Sequence, residues 1–223
     1  RCYMNGKLPS NIKCIVVLTF DIDGVSGAIN MNPNSVNFPG LMSLREYGPK
    51  IGTPRILKML EENEIPATFY IPGYVAENYK DLVKLVASKG HEIGHHGYMH
   101  EPPQTLSKKE EANILDKGSE IIENITGEKP TGYRAPGAEL SEYSIDLLAE
   151  RGFVYDSSLM GDDIPYPIKS STSEIMEVPL HWEMDDVAYY NYAPSLGLRQ
   201  FMATQDHLYQ VWSTAFDAAY HYG

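Results

Sequence analysis

The chain is short of cysteine, of positive charge and of long apolar runs, and each shortage excludes something. It has two cysteines in 223 residues, Cys2 and Cys14. Two are too few for a disulfide scaffold. Cys14 leads into an apolar run and is expected to be a small buried residue, with Cys2 at a frayed end. Neither has the second C-x-x-C or nearby histidine that would complete a metal site. Lysine and arginine total 18 against 30 aspartates and glutamates, a net charge of −12. So acidic a surface repels phosphate backbones, which argues against nucleic acid as a partner and against polyanionic substrates. No apolar run approaches the roughly 20 residues of a membrane span. No signal-peptide pattern is visible, which favours the cytoplasm over secretion, although the chain opens on Arg1 and an upstream segment is a candidate for removal. No internal repeat or low-complexity tract stands out.

What is present is an ordinary globular composition, 43% hydrophobic and 22% charged, in a chain long enough for one large domain. Ile15 to Phe20 reads as a buried strand. Residues 25–52, rich in Gly, Pro and Asn, read as a long loop. Thr53 is a good N-cap for a helix with Ile56, Leu57 and Leu60 on its apolar face. Strands are expected at Pro66 to Ile71, His91 to His96, Thr131 to Arg134, Phe153 to Ser157 and Ile175 to Leu180. Helices are expected at Tyr79 to Lys89, from the capping box Ser107-Lys108-Lys109-Glu110 to Thr126, at 142–151, and at Gln205 to Tyr222. Alternating strands and helices imply a parallel sheet with crossover helices. Six such units suggest a closed or nearly closed barrel, whose functional groups collect at the carboxyl ends of the strands.

Three motifs fall at such ends. In Thr19-Phe20-Asp21-Ile22-Asp23-Gly24, strand alternation puts Asp21 and Asp23 on one face. In His96-Gly97-Tyr98-Met99-His100, the four-residue spacing lets both imidazoles reach one point on a helical turn or tight loop. The third is Gly132-Tyr133-Arg134-Ala135-Pro136-Gly137. Two carboxylates and two imidazoles can supply three metal ligands and a base, the equipment of a hydrolytic metal site. His95, adjacent to His96, points to the opposite face and is expected to pack or hydrogen-bond. His91, His207 and His221 read as structural or surface residues, and His181 as either a core residue or a substrate contact. Tyr189-Tyr190-Asn191-Tyr192 is a candidate for sugar stacking, an interface or a pocket wall, with packing the more frequent role of such aromatics. Tyr155 to Asp163 reads as a strand running into a rim loop, whose carboxylates are candidates to cap turns or shape a pocket.

The order T-F-D-x-D-G, H-G-Y-x-H, G-Y-R-x-P resembles the NodB-homology or polysaccharide deacetylase family, carbohydrate esterase family 4. Pro66-Ala67-Thr68-Phe69, Gly90-His91-Glu92-Ile93-Gly94 and Gly152-Phe153-Val154-Tyr155-Asp156-Ser157-Ser158 support it. The resemblance runs from about residue 15 to residue 190. It implies a distorted (β/α)7-type barrel as a single catalytic domain over 1–223, and a divalent metal, Zn2+ by preference. By resemblance, Asp23, His96 and His100 hold the metal and Asp21 is the general base, held by Arg134. Trp182 and Asp185 resemble a motif that lines the pocket and tunes the acid, and Tyr133 and Pro136 flank Arg134 as substrate contacts. Two departures stand out. The common form has adjacent carboxylates; the spaced form here resembles a subgroup with peptidoglycan-deacetylase-like proteins and imide- or allantoin-hydrolysing relatives. The last family motif, a strand ending in His-Pro, is absent, so the barrel is expected to lack its last strand and the usual general-acid histidine. An open edge of that kind would favour self-association.

The implied activity is hydrolysis of a non-peptide amide bond, with an N-acetylated sugar or cell-wall glycan as the leading substrate. A small cyclic imide or ureide is the alternative enzyme substrate, and a catalytically silent binding protein is the alternative outside enzymes.

Overall fold

The computed structural model describes residues 12–199 and 202–222. Cys2 lies outside them. The strand β1 (Thr19–Asp21) is followed by helices α1 (Ser26–Met31), α2 (Pro39–Tyr47) and α3 (Thr53–Glu62). Then come β2 (Thr68–Ile71), α4 (Gly73–Asn78), α5 (Lys80–Ser88), β3 (Glu92–His95), α6 (Lys108–Thr126) and β4 (Gly132–Tyr133). The next elements are α7 (Ser144–Glu150), β5 (Tyr155–Asp156), β6 (Tyr166–Lys169) and β7 (Glu174–Glu177). The chain ends with α8 (Val187–Tyr190), the small hairpin β8 (Tyr192–Ala193) and β9 (Leu198–Arg199), and α9 (Gln205–Tyr222).

The main sheet has seven strands in the order β1-β2-β3-β4-β5-β7-β6. All neighbours are parallel except the antiparallel pair β6–β7. β1 and β6 are its two edges, so this is an open barrel. The sheet nevertheless curls. β1 and β4 are three strand spacings apart, about 14 Å if flat, yet the Arg134 Nη1 that follows β4 lies 2.9 Å from Asp21 Oδ1 on β1. Across the interior, Tyr70 Oη on β2 reaches Tyr155 Oη on β5 at 3.4 Å. Two glycines make room for these rings. A Cβ on Gly94 would lie 2.4 Å from Tyr70 Cδ1, and one on Gly132 would lie 2.2 Å from Tyr155 Oη.

One core cluster sits between β1–β3 and their helices, with Leu57, Leu60, Phe69, Ile71, Val83 and Val86 almost wholly buried. A second joins α6 and α7 to β4, β5 and β7 through Leu115, Leu147, Leu148 and Ile175. α6 begins on its capping box, with Ser107 Oγ accepting from Glu110 N and Glu110 Oε2 accepting from Ser107 N at 2.9 Å, and ends on Gly127 at φ +81°.

Several expectations are corrected. The first strand is three residues, not six: Ile15, Val16 and Val17 are 45–61% exposed because β2 pairs only from Thr68 onward. Cys14 is half-buried rather than core. Residues 25–52 are largely helical, as α1, α2, a 3-10 turn and a π turn at Gly48–Gly52. That π turn runs straight into α3, so Thr53 is helical and bonds back to Gly48 O at 3.1 Å instead of capping. β6, an edge strand that runs through Pro167, is additional to the expected strands. α9 forms as expected, but of its apolar face only Leu208 is buried.

Candidate active site and metal centre

Ile22, just past β1, is buried in the first core cluster, and its N–H donates to Tyr70 O on β2 at 2.9 Å. With Ile22 inside, both carboxylates face the open end. Gly24 turns the chain at φ +52°, a left-handed conformation that favours glycine. Asp23 O accepts from Ser26 N at 3.1 Å and Ser26 Oγ at 2.6 Å, which closes the turn.

β3 stops at His95, and alternation separates the adjacent imidazoles. His95 is buried among Tyr133, Phe153 and Gly118. His96 turns to the carboxylates. The following loop is not a helix; it is bent by Gly97 at φ +71° and His100 at φ +62°. Glu101 Oε2 holds it by accepting from Tyr98 N at 3.0 Å and Met99 N at 2.8 Å. Asn30 Nδ2 on α1 donates to His100 O at 3.3 Å, so the helical 25–52 segment packs against this loop.

His96 Nε2 lies 3.4 Å from Asp23 Oδ1 and 3.7 Å from Asp21 Oδ2, and His100 Nε2 lies 3.4 Å from Asp23 Oδ2. One donor atom from each of Asp23, His96 and His100 falls within 4.8 Å of the others. His96 Nδ1 donates to Arg134 O at 2.7 Å. That bond fixes the tautomer and leaves Nε2 with its lone pair toward the carboxylates. Asp23 Oδ1 is buried without a hydrogen-bond donor. An orphaned carboxylate oxygen beside two imidazole nitrogens is a donor set that a divalent cation fits. Burial pushes the Asp23 carboxyl up, but His100 and His96 outweigh it and hold the group well below the usual carboxylate range. Burial pulls His96 down, and Asp21 and Asp23 more than reverse that; His100 stays lowered, because burial dominates there.

Arg134 is committed on every side. Nη1 donates to Asp21 Oδ1 at 2.9 Å and Thr19 Oγ1 at 3.0 Å. Nε donates to Ser157 O and Nη2 to Ser157 Oγ, both at 2.9 Å, and the guanidinium lies over the Tyr70 ring at 4.3 Å. Thr19, Ser157 and the carbonyl of Arg134 are partners that sequence reasoning missed, since a hydroxyl in a strand carries no distinctive pattern.

The remaining expected residues divide. Asp185 lies close enough to Asp21, Arg134 and Asp23 to feel their charge; burial raises its carboxyl, and its Oδ1 accepts from Val187 N at 2.9 Å. Trp182 opens the short turn leading to Asp185 and is 45% exposed. Tyr133 is placed differently: alternation turns it away from Arg134, and at 2% exposure its side chain is part of the second core cluster. Pro136 is also buried, and its Cγ would lie 3.1 Å from a Cβ on Gly97. It backs the His96–His100 loop.

The polysaccharide deacetylase family model matches residues 11–155. The chain belongs to that family. A polysaccharide deacetylase of this kind is a hydrolase of C–N bonds other than peptide bonds. The chain is 32% identical to the peptidoglycan deacetylase of Helicobacter pylori over 92% of its own length and 78% of that protein's. A solved structure from Mycobacterium smegmatis, assigned to the polysaccharide deacetylases, superposes with a TM-score of 0.93 at 36% identity, covering 96% of this chain and 75% of that one. Puue allantoinase superposes at 0.81 with 21% identity, over 98% and 77% of the two chains, a likeness of fold alone.

Proposed function

We propose that this deacetylase removes acetyl groups from an N-acetylated glycan, with zinc held by Asp23, His96 and His100, and that residues 1–223 act as one catalytic domain. The observation that carries the reading is the placement of Asp21. Arg134 occupies its Oδ1, while its Oδ2 faces the Asp23–His96–His100 group at 3.7 Å. When bound, a divalent ion there supplies Lewis acidity, which acidifies water and polarises the amide carbonyl. Asp21 Oδ2 accepts the proton of the attacking water. Arg134 keeps Asp21 ionised and aimed, and His96 is oriented by its bond to the Arg134 carbonyl. Asp21 returns the proton it took from water to the leaving amine, and Asp185, raised by burial beside Asp21 and Arg134, tunes that transfer. Trp182 offers an exposed ring at the entrance to that turn.

Relatives of this chain are named for peptidoglycan and chitin deacetylation, which supports a glycan over a small imide. A cytoplasmic location would restrict the substrate to soluble glycan precursors. The test is acetate release from N-acetylglucosamine oligomers and from peptidoglycan fragments, run beside allantoin and a cyclic imide. Acetate from the sugars, abolished by Asp21→Asn, is the expected result. Turnover of the ureide or imide alone would contradict the glycan reading, and turnover of neither would favour a binding protein.

A further inference from the structure

Behind Arg134 lie two carboxyls that the chemistry above does not use. Asp156 ends β5 and Glu177 ends β7; they are register partners, and both are 0% exposed. Ser158 Oγ donates to Asp156 Oδ1 at 2.7 Å. Ser158 N and Leu159 N both donate to Glu177 Oε1 at 2.9 Å. One oxygen on each group, Asp156 Oδ2 and Glu177 Oε2, is buried with no donor of its own. Among the described residues no cation pairs with either. The charge of Arg134 reaches Asp156, but four of its five N–H groups donate to Asp21, Thr19 and Ser157 rather than to either carboxyl. Two adjacent ionised carboxylates in such a place would repel without compensation. One proton between the two leftover oxygens satisfies both.

We propose that Asp156 and Glu177 share a single proton, carried by Glu177, and that this pair is the positioning device for Arg134 and through it for Asp21. The path is short. Ser158 Oγ, held by Asp156, accepts from Ala135 N at 2.8 Å, immediately after Arg134. Glu177 fixes the backbone N–H groups of Ser158 and Leu159, and Ser157 just before them grips the guanidinium twice. The charged or titratable groups facing the pair from neighbouring strands are Tyr133 and Arg134 at β4 and Tyr166 on β6. Of these only Arg134 is charged at neutral pH. Burial, then the charge of Asp156, pushes Glu177 up to about 9; burial also raises Asp156.

The sign of the pH dependence follows. The unfolded chain releases the Glu177 proton near its ordinary 4.5, whereas the folded chain keeps it to about 9. Between those limits the unfolded state binds fewer protons, so this group lowers folded stability progressively as pH rises from 4.5 to 9 and no further above it. Glu177→Gln removes that slope.

The experiment uses the full metal-loaded chain. Infrared spectra of wild type at neutral pH should show a protonated-carboxyl C=O stretch that Glu177→Gln abolishes, and the fall of Tm with rising pH should be shallower in that variant. Kinetically, Glu177→Ala should lower kcat by about 10–100-fold, the usual effect of losing an outer supporting partner, with KM little changed. Glu177→Gln, which keeps a neutral donor, should recover most of it. Absence of the band in wild type, or Glu177→Gln as impaired as Glu177→Ala, overturns the proposal. If Glu177→Ala does not fold, the spectra and the Glu177→Gln kinetics decide. The kinetic arm rests on Asp21 as base; the spectral arm does not, so a wrong assignment of the reaction and a wrong assignment of the proton give different results.

Discussion

Arg134 joins more of the site than any other residue. Its side chain bonds Asp21, Thr19 and Ser157, its carbonyl orients His96, and its guanidinium covers Tyr70. A lysine offers a point charge in place of a planar fork and cannot keep these contacts together. We expect Arg134→Lys to lower kcat by about 10–100-fold while metal content stays at the wild-type level, because the carbonyl is unchanged. Asp21→Asn keeps the shape and removes the base, so we expect kcat to fall about 10²–10⁴-fold, again with metal retained. Loss of metal with either variant would move Asp21 or Arg134 into the ligand set. The grouping of Asp21, Asp23, His96 and His100 was legible because their motifs fall at the carboxyl ends of expected parallel strands, whereas the pairing of Arg134 with Asp21 came from the family resemblance. Tyr133, expected as a substrate contact, has its side chain in the second core cluster. Ser157 and Glu177 were not legible, since their roles depend on which strands lie side by side.

At the scale of elements, strong local signals held. The Ser107–Glu110 box and Gly127 bound α6 where expected. We expect Ser107→Ala to cost about 1 kcal/mol of stability with activity unchanged, read by denaturant midpoint. Weak local signals failed where tertiary pairing decides. Ile15–Val17 has the composition of a strand but finds no partner beyond Thr68. The 25–52 segment has loop-like composition, yet Pro39 sits in the first turn of α2 and Ala28, Leu41 and Ala193 give it a small core of its own. Gly94 reads as a weak point in a strand and is instead a fit for the Tyr70 ring. We expect Gly94→Ala to destabilise by about 1–3 kcal/mol, as overpacking does, because the added methyl meets a ring wedged between strands. An unchanged Tm would show that Tyr70 has room to move.

At the scale of the molecule, curling the sheet matters most for the site. It brings residues from β1, the end of β3 and the end of β4 within hydrogen-bonding range, and family membership agrees with that architecture. The sheet stays open between β1 and β6 among the described residues, and no helix of those residues is long and apolar enough to cross a membrane. The proposed chemistry stands on a metal centre formed by Asp23, His96 and His100. Elemental analysis after gentle purification, on wild type and His96→Ala, tests it most directly. We expect about one divalent ion per wild-type chain, the stoichiometry of a single site of this type, and its loss in His96→Ala. A wild-type chain that takes up no metal even after reconstitution with zinc would contradict the claim.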